Sequence, residues 1–290
     1  MEAYLTTREL ASLLRIKERK VYDLAASGGI PCTRALGKLL FPRAAVNAWL
    51  ADASSGFTAP VPARPNVFLG SHDPLLDWAL RQSGAGIATF FDGSLDGLDR
   101  FERGEGAATG LHLHEPADGA WNVATVRERF GASPVVLIEW AWRMRGLIVA
   151  PGAAKRVKTI AGLKGRRVVP RQAEAGSQGL LRHLLSQAKL AESDIAFTEP
   201  ARTETDAALA VLEGKADAAL GLAALAAQYR LGFVPVVRER FDLLVDRRAW
   251  FEPPMQAFLE FCRTDSFAKR AAELEGYDVS GLGTVHFNGG

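Results

Sequence analysis

The chain has 290 residues, 48% of them hydrophobic and 23% charged, which is enough to fill the cores of about two domains and fits neither a disordered nor a fibrous chain. No apolar run approaches the roughly 20 residues a bilayer span needs, and the start, MEAYLTTREL, has neither a basic nor an apolar leader region, so no membrane contact is expected and the expected location is the cytoplasm. The net charge is +2 and uneven: residues 1–52 carry eight Lys/Arg against five Asp/Glu, and the remaining residues 27 against 28, which leaves any nucleic-acid contact to the first fifty residues.

In chain order, Thr6 followed by Glu9 has the spacing of a capping box, and Leu10, Leu13 and Leu14 continue it as an apolar helical stripe. After a break at Arg15-Ile16, KERKVYDLAASGG predicts a second helix that buries Val21, Leu24 and Ala25 and stops at Gly28-Gly29. Two short helices around a tight turn read as a helix-turn-helix. TRALGKLLF predicts a hairpin around Gly37-Lys38. Pro42 is expected at the first position of a third helix that turns Val46, Trp49 and Leu50 inward. Cys32, in this region, and the distant Cys262 form no CxxC, so neither a zinc site nor a disulfide framework is indicated.

This segment resembles the excisionase/MerR-type winged helix-turn-helix: T-x-x-E with its apolar helix, a charged second helix holding VY, GGIP before a wing, and F-x-x-x-x-V-x-x-WL. The resemblance implies a second helix in the major groove of an operator, with Lys17, Arg19 and Lys20 as base and phosphate contacts and Tyr22 at the edge. Arg34 and Lys38 belong to the wing. A homodimer is expected because half-site recognition uses two-fold symmetry. The alternative for each charge is an ordinary solvated helix face.

Residues 53–65, rich in small residues and proline, read as a linker between a domain at 1–52 and one at 66–290. The body then alternates. NVFLG, GIATFF and AATGLHLH are strands separated by the helices PLLDWALRQSG and LDGLDRFERG. LIVAPG, RRVVP, AFTEP, ADAALGL, FVPVV and FDLLVD are further strands, with helices at SQGLLRHLLSQAKL, TETDAALAVLEG and LAAQYRL. Such alternation predicts an α/β fold with a largely parallel sheet.

VFLGSHDPLLDWAL places Ser71, His72 and Asp73 side by side, but adjacent residues cannot converge as a catalytic triad, and no G-x-S-x-G elbow is present. The position suggests a strand-to-helix turn with Asp73 as cap and Pro74 in the first turn, where free N–H groups face outward. Gly93-Ser94 and Gly176-Ser177 repeat that arrangement. Three helix N-termini, each with a serine, would suit an anion of four oxygens. The alternative is that each serine merely caps its helix.

LGSHDPLLD, GSLDGLDRFERGEGAATGLHLHEP, RMRGLIVAPG, GLKGRRVVPRQAEAGSQGLL, GKADAALGLAALA and ERFDLLV resemble the type II periplasmic-binding-protein fold, and within it the molybdate-binding-protein-like domain that some bacteria attach to a DNA-binding head. The resemblance implies two lobes, about 66–148 with 235–290 and about 149–234. It implies molybdate or tungstate in the cleft and no cofactor, metal or catalytic residue. The implied ligand residues are Ser71, His72, Gly93, Ser94, His112, Arg171, Gln172, Gly176, Ser177 and Gln178. Relatives carry NRQ-x-G-x-GTR where this chain has PRQAEAGSQ, so Arg171 and Gln172 match but Ser177-Gln178 replace Thr-Arg.

His112 and His114 share a strand face; one is expected to line the cleft, since a metal would lack a third nearby ligand. Arg143 and Arg145 are left as cleft ligands or as hinge ion pairs. Three other readings stay open. In one the body senses another anion or an organic metabolite, in another it has lost its ligand, and in the third Ser71 works with His72, His112 or His114 in an enzyme for which the sequence offers no motif.

Overall fold

The computed structural model describes residues 4–35, 37–53, 63–117, 119–155 and 157–290. They form two compact units that divide between Pro62 and Ala63. Most of the expected linker, 54–62, lies outside the described residues.

The first unit runs β1 (Tyr4–Thr6), α1 (Thr7–Leu14), α2 (Glu18–Ala26), β2 (Thr33–Ala35), β3 (Lys38–Pro42) and α3 (Arg43–Ala53). The capping box forms: Thr6 N donates to Glu9 Oε2 at 2.7 Å and Glu9 N to Thr6 Oγ1 at 3.3 Å. Leu10, Val21, Phe41 and Val46 make a small core, with Trp49 and Leu50 packed against it. Two details differ from the expected pattern. Ala11 is buried while Leu13 is 48% exposed, because an eight-residue helix turns only one narrow face inward. Pro42 ends a strand and does not begin a helix: it pairs with Tyr4 of β1, a strand the sequence pattern did not announce.

The second unit begins β4 (Val67–Gly70), α4 (Pro74–Gln82), β5 (Ala88–Phe91), α5 (Ser94–Glu102), β6 (Ala108–Leu111), β7 (His114–Glu115), β8 (Ala120–Trp121), α6 (Val123–Phe130) and β9 (Val135–Val149). It continues β10 (Arg167–Val169), α7 (Gly176–Gln187), β11 (Ala196–Phe197), α8 (Glu204–Leu212), β12 (Ala218–Leu222), α9 (Ala223–Gln228) and β13 (Gly232–Asp246). It closes with α10 (Arg247–Trp250), α11 (Pro253–Phe261), α12 (Asp265–Glu273), β14 (Tyr277–Asp278) and β15 (Val285–Asn288).

One sheet runs through the unit in the order β11-β10-β12-β9-β13-β6-β4-β5, with β14 and β15 also on β9. Its two ends are parallel, as the alternation predicts. Its centre is antiparallel, because β9 and β13 are 15-residue strands running in opposite directions between two lobes. One half of each pairs within the first lobe, β13 with β6 at 242–245; the other half reaches the second, β9 with β12 at 145–149. The segments LIVAPG, FVPVV and FDLLVD are therefore parts of two long strands, and the periodicity of each piece alone did not reveal their continuity. Apolar clusters fill both sheet faces in each lobe. The Arg/Glu-bearing stretches 143–145 and 239–242 lie where the two strands pass between the lobes.

Candidate functional site

Strand β4 ends at Gly70, and the chain turns through Ser71, His72 and Asp73 into α4. Asp73 caps that helix, its Oδ1 accepting from Leu76 N at 2.7 Å. The same carboxylate accepts from Trp140 Nε1 at 3.0 Å, Arg143 Nη1 at 2.8 Å and the Tyr277 hydroxyl. The N-terminus of α4 thus holds the chain's own anion. Ser71 Oγ is 2.8 Å from Ser94 Oγ, and His72 sits edge-on to Phe91, so the three neighbours do not act as one nucleophilic unit.

The starts of α5 and α7 meet across the seam between the lobes. Leu95 N donates to Glu174 O at 3.0 Å, and His112 N donates to Ser94 Oγ at 3.3 Å. The approach depends on two glycines. A Cβ at Gly93, whose φ is +137°, would stand 2.9 Å from Glu174 O; one at Gly176 would stand 2.6 Å from His112 O. One residue beyond Gly176, the Ser177 hydroxyl is buried, with the residue 2% exposed, and has no hydrogen-bond partner among the described residues. Leaving such a group unpaired costs about 1–3 kcal/mol, which an acceptor bound beside it would recover. Gln172 Nε2 donates to Asp92 Oδ1 at 3.1 Å, leaving its own Oε1 unpartnered. His72 Nδ1 is also unpartnered, and burial favours its neutral form.

Ser71, Ser94, Gly93, Gly176 and Ser177, with His72 and Gln172, therefore gather at one seam. The remaining expected ligands are engaged elsewhere. Gln178 Oε1 accepts from Arg171 N at 2.9 Å. Arg171 donates to Ala201 O and Arg202 O, and its Nη1 stands 3.0 Å from Glu204 Oε1 without hydrogen-bonding geometry. The His112 ring is buried, stacked on Phe241, with Nδ1 3.0 Å from Glu239 Oε2; only its main chain reaches Ser94. The His114 ring packs on Trp121 and His183.

Arg143 and Arg145 are buried ion-pair members. Arg143 bridges Asp73 and Glu239, and Arg145 bridges Glu239 and Glu204. With Arg171 this makes three guanidinium groups and three carboxylates in one chain, running from α4 through the crossover strands to α8. Burial pushes the two glutamates upward, but the arginines pull harder: Glu204 is held at about 2 and Glu239 well below the usual carboxylate range. Burial keeps His112 toward its neutral form against the pull of Glu239. The chain is therefore charge-balanced, and its arginines offer a ligand no unspent charge. Sequence reasoning missed Glu204, in the first turn of α8, and Glu239, in β13; the available signal for Glu239 was the charged run Arg238-Glu239-Arg240 between apolar stretches of one strand, and Glu204 carried none beyond its place at a helix start.

In the first unit, α2 buries Val21 and Ala25 and exposes Lys17, Arg19, Lys20 and Tyr22, and Arg34 and Lys38 are exposed on β2 and β3. Among the described residues no three His, Cys, Asp or Glu side chains are placed to hold a metal ion, and no helix is long and apolar enough to cross a membrane.

A family model for the PBP superfamily domain matches residues 77–263, and one for a helix-turn-helix domain matches residues 4–54. The chain is 25% identical over 300 aligned residues to the uncharacterized protein YvgK of Bacillus subtilis (strain 168), covering 97% of this chain and 96% of the relative. A Clostridium perfringens protein described as a phosphate ABC transporter substrate-binding protein, solved with phosphate bound, superposes with a TM-score of 0.53 at 9% identity. The match covers 74% of this chain and 99% of that one, and shows the shared fold. The periplasmic aliphatic sulphonate binding protein SsuA of Escherichia coli matches at 21% identity and a TM-score of 0.43, over 72% of this chain and 77% of its own.

Proposed function

This chain belongs to the PBP superfamily, with a helix-turn-helix domain ahead of the binding fold, and on that premise we propose a ligand-responsive transcriptional regulator whose body closes on a small oxyanion. The observation that carries the reading is the buried, unpaired Ser177 hydroxyl, one residue after Gly176, which itself packs close to Ser94 of the Ser71–Ser94 pair. The Ser71–Ser94 pair spends one of its two hydroxyl protons on the bond between them, which leaves the other for a neighbouring acceptor.

Molybdate or tungstate is the ligand we place there. The resemblance names them, and the chemistry of the seam agrees. Hydroxyls and helix dipoles favour an anion with no proton of its own. A large anion of diffuse charge also loses less hydration than a compact one where the arginines are already neutralised. The head reads an operator through Lys17, Arg19, Lys20 and Tyr22, flanked by Arg34 and Lys38, as a homodimer. Lobe closure changes operator affinity through a coupling free energy between the two sites.

A second reading, a body that no longer takes a ligand, is favoured by the seam's own bonds, chiefly Leu95 N to Glu174 O. Thermal unfolding with molybdate, tungstate, sulfate, phosphate and carboxylates separates the two. Ligand at 100 times its dissociation constant adds about 2.7 kcal/mol of stability. A shift with molybdate and tungstate alone supports the first reading; no shift with any anion leaves the second.

A further inference from the structure

Strand β5 ends the sheet, and its outer edge has no partner strand among the described residues. Ala88, Thr89 and Phe90 are exposed, Phe90 at 42%. Open strand edges template further pairing, and proteins usually blunt them with lysine, proline, a bulge or a covering segment. None of the residues that guard edges occurs here: residues 82–91, QSGAGIATFF, contain no charge and no proline.

The register fixes which groups face outward. Ala88 N donates to Asn66 O at 3.0 Å in the parallel β4–β5 pair. In a parallel ladder, alternate residues turn both N–H and C=O to the same neighbour, so Ala88 and Phe90 bond β4 while Thr89 and Phe91 present theirs to the open edge.

We infer that this edge joins two copies of the chain by antiparallel pairing of β5 with itself, about a two-fold axis at Thr89. In that register each Thr89 exchanges two main-chain bonds with the Thr89 of the second copy. Ala88 lies opposite Phe90, and Ile87 opposite Phe91, so large side chains meet smaller ones. The absence of charge supports a second copy as the occupant. An ionised side chain at or next to the two-fold axis would stand close to its own duplicate, and ten uncharged residues avoid that repulsion. Arg100, whose guanidinium lies over the Phe90 ring, is already balanced by Asp96 and Glu105. The inference rests on the proposed pairing of DNA-binding heads and is independent of ligand identity.

Sedimentation velocity of the full chain at micromolar concentration, without DNA, tests it. The wild type should run as a dimer. Thr89→Pro removes an outward N–H without removing a β4 bond, and Thr89→Lys sets two ammonium groups at the axis. Both should raise the dimer dissociation constant at least tenfold, with circular dichroism melting near that of the wild type. The lysine variant decides the matter if the proline variant fails to fold. Variants that remain dimeric overturn the assignment to β5 while leaving the paired heads in place. A monomeric wild type overturns both.

Discussion

Arg145 and Glu204 form a two-pronged ion pair between a crossover strand and the first turn of a second-lobe helix: Nη2 lies 2.9 Å from Oε1 and Nη1 3.1 Å from Oε2, with both side chains buried. Arg171 shares the same carboxylate, so removing it leaves Arg171 without an anionic partner and Arg145 with Glu239 alone. Breaking a buried pair from one side costs about 3–5 kcal/mol, and Glu204→Gln should lower stability in urea by that amount. The pH dependence has a definite sign. Glu204 sits at about 2 when folded, below its ordinary 4.5. Its contribution is therefore complete above 4.5 and lost as pH falls toward 2. The wild type should lose stability across that window, and the glutamine variant should lose less.

Asp242 has the opposite sign. Burial, only partly offset by Arg240 and Asn122, raises its carboxyl to about 6. A folded value above the ordinary 3.8 means its protonated form is preferred in the native state, so its contribution is complete below 3.8 and lost as pH rises through 6. The loss amounts to about 2–3 kcal/mol. Asp242→Asn should flatten stability between pH 4 and 6; an unchanged slope in calorimetry assigns that window to other groups.

Ser177→Ala separates ligand binding from folding. Deleting an unpaired buried hydroxyl leaves the ligand-free protein as stable as before or about 1 kcal/mol more stable. The same change should remove most of the stabilisation by molybdate. A loss of ligand-free stability would show that the hydroxyl has a structural partner.

Gly176→Ala forces a methyl group against His112 O at 2.6 Å, a main-chain atom that cannot swing aside. The lobes must then stay apart at the seam. Secondary structure measured by circular dichroism should persist, while molybdate affinity from titration calorimetry should fall more than tenfold. Retained affinity would place the ligand away from the seam.

Arg19→Ala with Lys20→Ala should weaken operator binding and make it less sensitive to salt. Each lost phosphate contact lowers the slope of log affinity against log salt by about 0.9 on B-DNA. A slope equal to that of the wild type removes both residues from the interface.

Several features were legible in the sequence because they depend on neighbours along the chain. The Thr6–Glu9 box, the buried face of α2, the β2–β3 hairpin and the Asp73 cap each follow from residues a few positions apart. So does the placement of Ser94 and Ser177 in the first turns of their helices. What joins distant segments was not legible. The 15-residue strands β9 and β13 carry no local signal of their continuity, and β1 shows itself only through its pairing with β3. The sequence by itself determined which residues turn, cap and alternate, since local sterics and hydrogen bonding decide those. Only the tertiary structure decided that Arg143, Arg145 and Arg171 neutralise Asp73, Glu239 and Glu204, and that Ser177 is left without a partner. Burial sets the strength of a charge, and burial depends on which segments the folded sheet brings together.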